Sequence, residues 1–287
     1  MKHIVLTLFL LSSILSLRAF DISAPRLSNA SDTVRAAEIL KSPDMSADDY
    51  GHNIAVAAKS LLGAGADSYY NTDSTADIRL NLQAFTPLSF INSALALGQA
   101  SLANTNPGWR DFAKAFVALS CRRGEDKGFN SIMYHTSDWI NDNIYRGNVK
   151  ERTEDFSGAV SKTKSLTYLT RNRDKFAALA DSAMFENVKF TEMGFRSMRV
   201  PMLKKETISK KEVLSEIKDG DIIIMVCNGD GIDYYRIGVA VNKEDGPYMI
   251  MFDPEEGKVI ETPTPLPLFF KTRTKHYSGY RLLRPVR

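Results

Sequence analysis

Between Ile78 and Leu97 the hydrophobic period of the chain changes once, and abruptly. Ile78, Leu80 and Leu82 alternate with Arg79 and Asn81, the two-residue period of a half-buried strand. Gln83-Ala84 lead out of it. Thr86 is an N-cap residue and Pro87 takes the first helical position, where a missing N–H costs little. Phe90, Ala94 and Leu97 then recur at helical spacing, so an apolar helix runs inward from an exposed start. Such a start suits a nucleophile. The unpaired backbone N–H groups and the macrodipole stabilise an anion, and a thiol placed there is pushed toward thiolate.

The rest of the chain gives helices first and strands last. Val34, Ala37 and Leu40 share one face of a helix over Ser31 to Ser42, stopped by Pro43. Ser46 with Asp49 forms a capping box for a helix over Asp48 to Leu62, which Gly63 ends. His52, in its first turn, is a surface or packing residue. Gly63 to Ala76 is a loop containing Tyr69 and Tyr70. Pro107 starts a helix with a buried stripe of Trp109, Phe112, Phe116 and Leu119. Cys121 falls near its C-terminal end, where the dipole disfavours a thiolate. Thr136 or Ser137 caps a helix through Tyr145 that Gly147 ends. Glu151 to Phe195 is polar and weakly patterned, with a helix over Asp174 to Phe185. Ser209 with Glu212 is a second capping box, opening a short helix that ends at Gly220.

From Asp221 onward the pattern is all strand. Asp221 to Cys227 is a continuous apolar run, as in a strand covered on both faces. Tyr234 to Val241, Pro247 to Asp253, Lys258 to Glu261 and Tyr277 to Leu283 follow, with a hairpin turn at Glu244-Asp245-Gly246. The fold class is α+β: N-terminal helices packed on a C-terminal antiparallel sheet.

Residues 1–19 have a basic start (Lys2), an apolar run from Ile4 to Leu17 and a small residue at Ala19, the pattern of a cleaved signal peptide. Residues 20–287 then form a single domain in a secreted or periplasmic protein. No cysteine follows the run to carry a lipid, and no other stretch is apolar enough to span a bilayer, so no membrane contact is expected after cleavage. The formal net charge is +3, and the leader holds Lys2 and Arg18 but no acid. The remainder is too near neutral for a nucleic-acid surface. Cys121 and Cys227 make no disulfide framework. There is no histidine spacing for zinc and no glycine-rich phosphate loop, so no metal or cofactor is expected.

Three blocks resemble the secreted N-acetylmuramoyl-L-alanine amidase-like branch of the NlpC-type, papain-like cell-wall hydrolases. The first is Asn81-Leu82, Phe85, Phe90 and Ala94-Leu95-Ala96-Leu97. The second is Ser131 with Asp138-Trp139-Ile140, and the third is Gly220 to Ile223 with Gly231 to Gly238. The resemblance implies a papain-like fold and hydrolysis of the bond between N-acetylmuramic acid and L-alanine in peptidoglycan. It also implies which positions carry the reaction. The family's Asp-Cys-Thr-Thr falls on Thr86-Pro87-Leu88-Ser89, so the nucleophile position is Pro87. The base histidine falls on Arg236, and the second histidine near Phe252, beside Asp253. The cleft-facing arginine and histidine of the second block fall on Ile132 and Tyr134, with His135 displaced by one residue, and a cleft tyrosine falls on Tyr69 or Tyr70.

Proline has no reactive atom, and arginine stays protonated, so it takes no proton from a nucleophile. Cys-His chemistry needs a thiol and a neutral imidazole in contact. The expectation is a catalytically inactive relative that binds a muropeptide or cell-wall fragment in a degenerate cleft. Arg236 would pair with a ligand carboxylate, and Tyr70, Tyr134, His135, Asp138, Asp233 and Asp253 are the other binding candidates. Two alternatives stand beside it. One is a residual hydrolase working through Ser89 or Asp253; the other is an envelope protein-interaction module.

Overall fold

Ile222 to Cys227 is buried along its whole length, and the reason is that apolar layers cover both of its faces. Ile222 and Ile224 join one core cluster, while Ile223 and Met225 join the other. The computed structural model describes residues 29–68, 78–273 and 275–287. Its strands are β1 (Gly65–Ala66), β2 (Ala84–Phe85), β3 (Val149–Glu151), β4 (Val160–Lys164), β5 (Met198–Lys204), β6 (Ile222–Cys227), β7 (Tyr234–Lys243), β8 (Gly246–Asp253), β9 (Lys258–Glu261) and β10 (Tyr277–Pro285). They form one sheet in the order β2-β1-β9-β8-β7-β6-β10-β5-β4, with β3 paired to β10. Among the described residues only the β1–β2 pair is parallel.

The helices are α1 (Ser31–Leu40), α2 (Tyr50–Ser60), α3 (Pro87–Ser101), α4 (Trp109–Ser120), α5 (Thr136–Tyr145), α6 (Tyr168–Arg171), α7 (Ser182–Met193), α8 (Lys211–Leu214) and α9 (Leu266–Lys271). Helix α3 is the centre of the helical layer. It packs on α2 and α4 and lies over β7 and β8. Its apolar residues are buried on nearly every side, as an enclosed helix requires. On the opposite face of the sheet, Ile208, Val213, Leu266, Phe269 and Phe270 cover Ile223, Met225, Met249 and Met251. A third, smaller cluster gathers Leu169, Phe176, Leu179 and Val188 of the 166–195 segment around Phe129.

The α+β architecture and the helix opening at Thr86-Pro87 follow the sequence pattern. Several local expectations do not. Ile78, Leu80 and Leu82 are buried as alternation predicts, but the ladder forms two residues later, at Ala84–Phe85. The cap of α2 is Asp49, whose side chain accepts the His52 N–H; Ser46 instead accepts the Asp48 and Asp49 N–H groups. The N-cap of α5 is His135, and the Ser137 N–H goes to the distant Asp233 carboxylate. Asp174 to Phe185 is broken by short turns, and the helix forms over Ser182–Met193, where Asp181 caps it. The Ser209–Glu212 box is absent: α8 spans Lys211–Leu214 with Lys210 at its N-cap. Strands β4 and β5 form within and just beyond the weakly patterned region, and α9 interrupts the C-terminal strands. Tyr69 and Tyr70 lie outside the described residues.

Candidate functional site

The start of α3 opens into a cleft of about 420 Å³. Thr86, Pro87 and Ser89 line its rim from the helix; Ile132 to Thr136 line it from the segment entering α5; Asp233 to Ile237 line it from β7 and the turn before it. Tyr168, Leu169 and Phe176 add a wall from the 166–195 segment.

Thr86 and Ser89 form a reciprocal capping box. The Ser89 hydroxyl accepts the Thr86 N–H at 2.8 Å, and the Thr86 hydroxyl accepts the Ser89 N–H at 3.2 Å. Ser89 Oγ is therefore committed to the helix start. No hydrogen bond joins it to a histidine among the described residues. His52 bonds the Asp44 carbonyl, His135 faces Glu192, and His276 stacks on Tyr235 with ring centroids 4.9 Å apart. One turn further along α3, Asn92 accepts the indole N–H of Trp139 at 2.7 Å, tying α3 to α5 behind the cleft.

On β7, Ile237, Val239 and Val241 face the helical layer, while Ala240 faces the other core. Arg236 falls on the alternation of Ala240, and Asp253 on that of Met249 and Met251. A bulge at Tyr235, between the pairs Met225–Arg236 and Val226–Tyr234, ends the regular pattern there. Arg236 thus lies at the edge of the cleft rather than on its floor, and its two terminal nitrogens are engaged, while Nε is buried without a hydrogen-bond partner among the described residues. Nη2 donates to Asp253 and to Glu255, each at 2.9 Å, and Nη1 donates to the Tyr235 carbonyl at 3.0 Å. The guanidinium also stacks 4.1 Å over the Tyr235 ring. This corrects the expectation that Arg236 waits for a ligand carboxylate: two protein carboxylates already hold it. Phe252 does not line the cleft. It packs in the main core, opposite Val259 of β9.

The remaining candidates divide. Asp233 is buried in the cleft wall, and its Oδ2 accepts the Ser137 N–H at 2.6 Å, so it serves the α5 N-terminus from a distance. Tyr134 packs against Phe129 and edge-on to Phe176, with centroids 4.8 and 6.1 Å away. His135 Nε2 lies 2.8 Å from Glu192 Oε1, and both side chains are buried. Glu192 also accepts the N–H groups of Leu169 and Thr170 and the Thr170 hydroxyl. Burial pushes its carboxyl up, but the hydrogen bonds from His135 and Thr170 outweigh that and leave it below the ordinary glutamate value. Asp138 points away from the cleft into an ion pair with Arg122, and burial raises its carboxyl despite that partner. Burial also holds the Tyr234 phenol protonated, with a pKa of about 12.

Sequence reasoning missed Glu192, Tyr168, Phe176 and Asn92. Glu192 stands 57 residues from His135, a separation with no periodic signal. Asn92 did leave a signal, as a polar residue inside an apolar helix. Among the described residues no group of three His, Cys, Asp or Glu side chains gathers to hold a metal ion, and no helix is long and apolar enough to cross a membrane. The arrangement can enclose and orient a ligand. Among the described residues it has no thiol at the helix start, and the one imidazole of its lining, His135, is bonded to Glu192.

The fold and the site define an α+β protein whose buried helix starts at the rim of a ligand-sized cleft above an antiparallel sheet. Residues 65–271, well over half of the chain, match the AmiA-like, N-acetylmuramoyl-L-alanine amidase-like family, and the chain belongs to it. Among solved structures, an N-acetylmuramoyl-L-alanine amidase from Bacteroides uniformis superposes with a TM-score of 0.73 at 21% identity, over 83% of this chain and 99% of that one. A Bacteroides fragilis protein carrying the provisional name of a xylanase superposes at 0.71 with 25% identity, over 79% and 98%. A Legionella pneumophila protein, LPG0564, superposes at 0.67 with 14% identity, over 90% and 95%. The neighbours' names disagree on activity, so the structural likeness carries the fold, and the family match carries the link to amidases. The comparison with curated proteins gave no match.

Proposed function

We propose that this chain is an exported, non-hydrolytic relative of N-acetylmuramoyl-L-alanine amidases that binds a muropeptide or cell-wall fragment in the cleft at the start of α3. In an NlpC-type, papain-like arrangement the nucleophile opens the buried helix and the base faces it from the sheet. Here Pro87 stands at the helix start, and the nearby sheet positions are Arg236 and Ile237, neither of which can accept a proton. Ser89, the one hydroxyl of the first turn, is held in the capping box, and Asp253 is held by Arg236. The observation that carries the reading is this combination: a proline where the reacting atom belongs, beside a cleft that keeps ligand-sized volume.

The test pairs binding with turnover. Calorimetry with purified muropeptides is expected to show binding, while incubation with sacculi releases no stem peptide. No heat at millimolar muropeptide removes the binding half of the proposal. Free stem peptides released by the wild-type protein remove the non-hydrolytic half.

A further inference from the structure

Resting on the proposed function, we infer that the cleft selects ligands carrying a primary ammonium, and that Asp233 Oδ1 is the atom that receives it. Asp233 is 5% exposed and lines the cleft. One carboxylate oxygen, Oδ2, is used by the Ser137 N–H. The other, Oδ1, accepts no hydrogen bond from the described residues, yet it is not fully enclosed. A carboxylate oxygen left open in a largely apolar cleft is a strong acceptor for a charged donor.

The cationic side chains near it already have other partners. Arg236 is matched by two carboxylates, Asp253 and Glu255. His135 is matched by Glu192, and Arg122 by Asp138. Lys164, whose charge interacts with Asp233, gives its Nζ to the Gly229 carbonyl. Asp233 is thus the carboxylate at the cleft surface without a side-chain cation bonded to it among the described residues. Tyr134 and Tyr168, each edge-to-face with Phe176, give the cleft an aromatic wall that suits the alkyl stem and charge of an ammonium rather than an anion.

This changes which fragment fits. In an intact muropeptide the amine of the first residue is acylated by the muramic acid and carries no charge. Hydrolysis adds water across that amide: the acyl carbon keeps the oxygen, and the nitrogen leaves as an amine that is protonated at neutral pH. A ligand with a free α-amine is therefore a product of amide hydrolysis. A diamino-acid side chain offers the same ammonium without cleavage.

The probe is the tripeptide L-alanyl-γ-D-glutamyl-L-lysine, compared with its α-N-acetyl and its ε-N-acetyl forms by calorimetry at pH 7. One acetyl form is expected to bind at least tenfold more weakly than the parent, and its identity tells which amine Asp233 holds. Asp233→Asn keeps an acceptor for the Ser137 N–H, so α5 stays capped. This variant is expected to lose the same factor for the parent peptide and to stop discriminating. Equal binding of all three peptides overturns the inference and leaves the muropeptide proposal standing, as does binding of intact muropeptide alone. No binding of any fragment overturns both. If Asp233→Asn does not fold, the wild-type acetylation series decides by itself.

Discussion

At the scale of single residues, the helix start decides between a reacting and a holding cleft. Pro87→Cys restores the atom but not its activation. The thiol would gain from the α3 N-terminus, yet among the described residues the one histidine lining the cleft, His135, has its Nε2 on Glu192. The expected outcome is no stem peptide released from sacculi, read by chromatography. Release above background would reveal a base in the cleft and overturn the assignment. Ser89→Ala separates stability from chemistry. It removes one half of the capping box, so the urea midpoint should fall by an amount corresponding to about 1 kcal/mol, with fragment binding unchanged.

At the scale of elements, the 166–195 segment is a wall fastened by one carboxylate. Glu192 of α7 holds His135 at the α5 N-cap and the first N–H groups of α6, while the segment keeps its own small core. A carboxyl lowered in the fold contributes stability that is complete above its unfolded value of about 4.3 and fades as pH falls through the folded value. Asp138 is raised by burial, so its titration acts in the opposite sense. Acidification should therefore loosen this wall before the sheet, seen as early loss of hydrogen-exchange protection at Leu169 and Thr170. In Glu192→Gln the loosening of this wall by acid should vanish, leaving only the opposite contribution of Asp138, and the wall should be weaker at pH 7 by about 2 kcal/mol, the scale of a hydrogen bond to a charged group. This is also where the sequence was least legible. The Thr86-Pro87 start, the buried β6 run and the β7–β8 hairpin are local signals that propensity and period carry. The caps supplied by Asp233 and Glu192 come from across the fold, and no window of sequence contains both partners. Alternation was also misleading at Arg236, since it did not show that Asp253 and Glu255 close on the guanidinium.

At the scale of the whole molecule, one close approach between the helical layer and the sheet is backbone against backbone. Gly51, in the first turn of α2, lies against Asp219 and Gly220 at the turn leading into β6. A Cβ on Gly51 would sit 2.5 Å from the Asp219 carbonyl oxygen, and one on Gly220 would sit 2.4 Å from the Gly51 carbonyl oxygen and 2.7 Å from its Cα. Backbone cannot swing aside as a side-chain tip can, so α2 would have to lift from the sheet. Gly220 also has φ +82°, a left-handed conformation that strains an alanine regardless of space. Gly63 separates these two causes, because its φ is +81° and nothing lies within 4 Å of its Cβ direction. Gly63→Ala should cost about 1 kcal/mol from conformation alone. Gly220→Ala adds overpacking, for a total of about 2–4 kcal/mol. Because α2 packs on α3, the lift should be transmitted to the helix start at the cleft and weaken fragment binding as well as stability. Denaturant unfolding of both variants, with calorimetry on the folded fraction, checks the argument. Equal losses at the two glycines would mean that the close approach contributes nothing, and that the layers are joined through their side-chain cores alone.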